Sequence, residues 1–154
     1  MKSLLSNTVL ILLIRVFLGG LFILSGLDKI SNPQAFVASI LNYKIVGTSS
    51  ATLIATILPF VEFLCGLSLI FGIYPRASAL LIVIMLIGFT VLVASALFRG
   101  LDISCGCFTQ DVNASKIGYE KILENCGMIL LGVWLVLVPK SDADLFRFFR
   151  KRIP

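Results

Sequence analysis

The chain has 154 residues, 58% of them hydrophobic and 14% charged, with no histidine and a formal net charge of +5. That is too little polar surface to cover a water-soluble core of this size, which excludes an ordinary soluble enzyme or binding domain and leaves a membrane protein. A crossing helix needs about 20 apolar residues, so four crossings fit and use most of the chain, with no room for a separate soluble domain. The predicted fold is an all-α integral membrane protein: a four-transmembrane-helix bundle with a short extracytoplasmic surface helix between spans one and two.

Span one is predicted at residues 7–27. Its apolar run is too long for a cleavable leader, it carries Arg15, and no small-x-small cleavage site follows, so it is expected to stay attached. Asn32-Pro33 stops it. Residues 31–46 then place Ala35, Phe36, Ile40 and Leu41 among Gln34, Ser39, Asn42 and Lys44, a pattern that suits a short helix lying on the outer membrane surface. Span two, residues 49–72, contains Pro59 and Glu62. Tyr74-Pro75-Arg76 makes a tight turn into span three, residues 77–98, which carries no charge and reads as scaffold. A polar connection follows. Span four, residues 117–138, begins with Glu120, Lys121, Glu124 and Asn125 at helical spacing, so one stripe of it must face water, other helices or the preceding loop.

Lys140, Arg147, Arg150, Lys151 and Arg152 gather in the tail, residues 139–154. Cationic flanks stay in the cytoplasm, which places both termini inside and the connection between spans three and four outside. Phe146, Phe148 and Phe149 among those cations fit a segment lying on anionic membrane lipid, and nucleic-acid binding is a poor reading of the tail.

Two constellations carry candidate chemistry. Arg15 and Glu62 lie at similar distances from the inner ends of their spans, so antiparallel neighbours would bring them level at a depth of roughly 12 to 15 Å. A lone charge at that depth costs several kcal/mol by most estimates, and pairing is the expected solution. The pair reads either as a fixed ion pair that sets helix register or as a polar pocket for a quinone head group or a proton path.

The second constellation is Cys105-Gly106-Cys107 in the polar connection. Only a tight turn brings two such alpha carbons within bridging distance, and Gly106 permits one. Cross-linking so short a loop removes little chain entropy, so the pair suits exchange better than static support. No histidine and only two nearby thiols leave too few ligands for zinc or an iron–sulfur cluster, and no metal is expected. Cys126 reads either as a resolving thiol or as a buried helix cysteine, and Cys65 as packing. Glu124 or Asp102 are candidate proton acceptors, while Arg99, Lys116 or Lys121 would favour a thiolate.

Arg15 with Gly19, Phe22, Gly26, Lys29 and Pro33, then Pro59-x-x-Glu62 with Gly66, Leu69 and Gly72, resembles the redox-associated membrane proteins of the MauE and DoxX type. Cys105-Gly106-Cys107-Phe108 after Asp102 is similar to the MauE branch, although Thr109 stands where that pattern has glycine. The resemblance implies a four-helix protein of the bacterial inner membrane. It also implies redox maturation of an exported disulfide-rich protein beside a thioredoxin-like partner, and, through the DoxX relatives, a link to quinones. The expected function is a membrane thiol–disulfide oxidoreductase. Its catalytic candidates are Cys105, Cys107, Cys126 and Glu124, with Arg15 and Glu62 as the cofactor-binding candidates and a quinone as the candidate carrier. The rivals are a non-enzymatic assembly or anchor subunit and a small lipid- or substrate-binding transporter centred on Arg15 and Glu62.

Overall fold

The structure is a computed structural model and describes residues 8–100 and 119–138. Five helices make up these residues: α1 (Thr8–Ser31), α2 (Pro33–Asn42), α3 (Thr48–Phe71), α4 (Pro75–Phe98) and α5 (Tyr119–Leu137). Three of them are long and apolar enough to cross a membrane, at Val9–Ser31, Thr48–Phe71 and Pro75–Phe98, while the apolar part of α5 is shorter, Ile122–Leu137. The described residues therefore carry three membrane-length helices, and the span predicted at residues 117–138 begins outside them. A helix stands where the surface helix was predicted, shorter than the 31–46 segment.

Each long helix turns one stripe inward. In α1 the buried residues Ile11, Arg15, Leu18, Phe22, Ser25 and Lys29 recur at alternating steps of four and three, which is the spacing of a single helix face packed against neighbours. Leucine, phenylalanine and isoleucine side chains outside these stripes are widely exposed, as in Leu24, Phe60, Ile84 and Leu130. In a membrane protein that outer surface meets lipid.

The most extensive contact is between α1 and α3, and α4 packs chiefly on α5. Glycine sets the first of these. A Cβ placed on Gly19 would lie 2.8 Å from the Gly66 carbonyl oxygen, one on Gly66 would lie 2.7 Å from that of Gly19, and one on Gly26 would lie 2.8 Å from that of Pro59. Backbones this close tolerate no side chain, so the two antiparallel helices are locked in one register. Likewise a Cβ on Gly132 would meet the Val83 side chain at 2.5 Å, which pins α5 against α4.

The α3–α4 connection is the tight turn expected. Gly72 adopts the left-handed conformation (φ 78°), and its N–H and that of Ile73 both donate to the Ser68 carbonyl at 3.0 Å. Pro75 then opens α4, where a missing N–H costs nothing. At the other end α1 runs on to Ser31, a full turn beyond the predicted stop, because Lys29 is buried among partners instead of reaching for water. Asn32 and Pro33 then redirect the chain into α2.

Candidate functional site

The far end of the bundle from the Gly72 turn holds the α1 C-terminus, α2, and the starts of α3 and α5. There the predicted partner of Glu62 is replaced. Glu62 accepts two hydrogen bonds from Lys29 Nζ, at 2.7 Å to each carboxylate oxygen, and both side chains are within about 1% of full burial. Lys29 donates its third proton to Ser25 Oγ at 3.0 Å, and Ser25 donates to Glu62 Oε2 at 3.3 Å. The ammonium also lies 5.1 Å from the centre of the Phe36 ring and 5.0 Å from that of Phe89, within range of a cation–π attraction. A lysine has three N–H groups and all three are used, so the charge is fully compensated inside the protein.

Arg15 lies elsewhere. Its Nε donates to the Leu69 carbonyl at 2.9 Å, in the last turn of α3, where carbonyl groups have no helical partner and the helix dipole is negative. Leu69 is seven residues from Glu62, about 10 Å along the axis. The expected Arg15–Glu62 pair is thus corrected: the helix ends are not level, and the contacts of Gly19 with Gly66 and of Gly26 with Pro59 fix a register that puts Glu62 opposite Ser25 and Lys29. The signal for Lys29 was present in the sequence, since it falls on the same 3–4 stripe as Arg15, Phe22 and Ser25.

Cys65 is buried one turn from Glu62 within the apolar core. Cys126 is a free thiol on an exposed part of α5 rather than a buried helix cysteine. Glu124 is exposed too, but residues two apart on a helix do not share a face. Between them Asn125 is 1% exposed, and its Oδ1 has no hydrogen-bond partner among the described residues. Cys105, Cys107, Asp102, Lys116 and the basic tail lie outside the described residues. The segment carrying the two close cysteines leaves α4 and enters α5 at the α2 end of the bundle. Its base is tied there, because Arg99 donates to the Tyr43 carbonyl at 2.8 Å.

Beside the ion pair is a pocket of about 150 Å³ between α2, α3 and α4. Phe36 and Phe89, the rings that cover Lys29, form part of its wall, with Tyr43, Ile40, Ile54, Leu58 and Leu92 among the others. Burial pushes the Tyr43 phenol up to about 12, so it stands there as a neutral hydroxyl.

The family model described as "Methylamine utilisation protein MauE" matches residues 7–138. The methylamine utilization protein MauE of Paracoccus denitrificans is 26% identical over 121 residues, covering 78% of this chain and 64% of that protein. The MauE of Methylophilus methylotrophus is 21% identical over 140 residues, covering 90% of this chain and 74% of its own length. The chain therefore spans just under two thirds of the Paracoccus relative, and no solved structure gives a significant match. Since the family match takes in every helix described above and the connection that holds the cysteine pair, this membrane protein belongs to the MauE family.

Proposed function

We propose that the protein is a redox maturation factor of methylamine utilisation, a membrane thiol–disulfide oxidoreductase working through Cys105 and Cys107. The observation that carries this reading is the Cys105-Gly106-Cys107 sequence, in a polar connection whose two ends meet the bundle at one end, within a chain otherwise given over to apolar helices. Five residues lie between Arg99 and Cys105, so chain length keeps the Cys105 Cα within roughly 22 Å of the Arg99 Cα, whose side chain holds the Tyr43 carbonyl.

In this reading α5 is the fourth crossing, supported by its packing along α4 and by an apolar segment of about 24 Å. α2 lies at the outer membrane surface, both termini are cytoplasmic, and the cysteine connection faces the space outside the bacterial inner membrane, where disulfides persist. The thiolate of one cysteine attacks a disulfide of an extracytoplasmic thioredoxin-like or disulfide-rich partner and forms a mixed disulfide. The second cysteine resolves it, so that two electrons and two protons pass between the pair and the partner. A lipid-soluble quinone is the proposed carrier on the membrane side. Cys126, exposed on α5 toward the same end, is a proposed relay thiol, and Glu124 a proposed proton acceptor for the pair. The Lys29–Glu62 tie serves to hold α1, α2 and α3 in place beneath this chemistry.

Replacing either Cys105 or Cys107 with serine, followed by acid quench and non-reducing electrophoresis, tests the proposal. Each single replacement is expected to accumulate a mixed disulfide with an exported partner and to abolish turnover. Unchanged exported disulfides and unchanged growth on methylamine in the double replacement would overturn it.

A further inference from the structure

The pocket between α2, α3 and α4 is unlike the rest of the interior. None of its walls carries a charge, and the hydroxyl of Ser39 is already committed to the Ala35 carbonyl at 3.0 Å. Its residues are sorted by depth: the deeply buried members are the aromatic Phe36 and Tyr43, whereas Ile45 is 51% exposed and Ile54, Leu58 and Leu92 are half-buried. The innermost walls are therefore aromatic, and the outer ones are aliphatic apart from the half-buried Phe89. The outer wall combines Ile45 of the α2–α3 connection with Ile54 and Leu58 of α3 and Leu92 of α4, and α3 and α4 both present apolar side chains outward.

From this arrangement the geometry points to a binding site for an uncharged, membrane-dissolved molecule made of one ring and an alkyl tail. The ring packs against Phe36, Tyr43 and Phe89, and the tail runs out between α3 and α4 into lipid. Three features fix the class. An apolar cavity of about 150 Å³ takes a single benzene-sized ring and stays dry otherwise. None of the lining side chains can pair with a charged head, and Lys29 behind the two phenylalanines has given all three protons to Glu62 and Ser25. Aromatic walls reward offset or edge-to-face ring contact, which a saturated chain alone does not provide. A tailed quinone and a tailed phenol share this chemistry. The inference rests on the proposed function only for its carrier: failure here would remove the quinone's place and leave the Cys105–Cys107 exchange standing.

The full-length protein in phosphatidylcholine nanodiscs, titrated with decylbenzoquinone, with decylphenol and with hexadecanol and read by native mass spectrometry, tests it. At least one ring probe is expected to form a saturable one-to-one adduct, with hexadecanol binding at least tenfold more weakly. Leu58→Phe, which fills the pocket from α3, and Leu92→Phe, which fills it from α4, should each weaken ring binding at least tenfold. Leu64→Phe, on the exposed face of α3, should leave it unchanged. Helicity and thermal melting identify any variant that fails to fold, and the other filling variant then decides. Hexadecanol binding as tightly as both ring probes, or ring binding indifferent to a folded filling variant, would overturn the assignment.

Discussion

Two buried cations sit on one face of α1 and are held in different ways, and substitutions should separate them. Lys29 lends its charge to a carboxylate, so Lys29→Met or Glu62→Gln alone leaves an uncompensated buried group and should destabilise the protein by about 3 to 5 kcal/mol. Replacing both with methionine should recover most of that loss, since well-packed apolar residues often match a buried pair. Reversing the pair, Lys29→Glu with Glu62→Lys, should restore folding in part, whereas reversing Arg15 with Glu62 should not. Denaturation in mild detergent followed by tryptophan fluorescence reads all five. Tyr43 gives a test by pH. Its phenol titrates near 12 in the folded protein against an ordinary 10, so the fold favours the protonated form. Stability from this group is unaffected below pH 10 and is lost as pH rises from about 10 to 12, by at most ~2 to 3 kcal/mol. In Tyr43→Phe that alkaline loss should be absent, as followed by melting temperature against pH.

At the scale of the helices, register is the property that the glycines determine. Gly66→Leu, or Gly19→Val, cannot be absorbed by a side-chain shift, because the added carbon meets a backbone carbonyl. Each should cost about 1 to 3 kcal/mol or more and lower the melting temperature. Gly20→Ala and Gly88→Ala meet nothing within 4 Å and should be tolerated. The same contacts explain what could be read in the sequence and what could not. The apolar runs located the three long helices, Pro33 and the Gly72–Pro75 turn located their ends, and the amphipathic spacing after Pro33 located α2. Depth counted from the helix ends misassigned the partner of Glu62, because backbone approach at Gly19 and Gly66 is a pairwise fact that neither helix displays alone. The pocket was equally hidden, since its wall is assembled from α2, α3 and α4. Lys29 was legible by its step from Arg15, Phe22 and Ser25, had the stripe been followed past Gly26.

For the molecule as a whole, the α2 end gathers everything with chemical potential: the Lys29–Glu62 tie, the aromatic pocket, Cys126 on the flank of α5, and both ends of the connection that holds Cys105 and Cys107. The opposite end is a tight turn and the Arg15 cap on α3. The connection that holds the cysteine pair is thus rooted at the same end of the bundle as the apolar cavity. Arg99 couples the two, since its bond to the Tyr43 carbonyl joins the base of the cysteine connection to the pocket wall. Arg99→Leu should therefore slow thiol exchange while leaving the fold intact, as measured by helicity and by the rate of mixed-disulfide turnover. The most direct measurement is the bonding state and sidedness of Cys105 and Cys107 in intact cells, read by an impermeant thiol reagent before and after mild reduction, with acid quench. The account predicts that the pair is bonded and unreactive at first, and is labelled from outside the cytoplasmic membrane once reduced. Labelling only after the membrane is opened to the cytoplasm, or two thiols that stay reduced throughout, would contradict it.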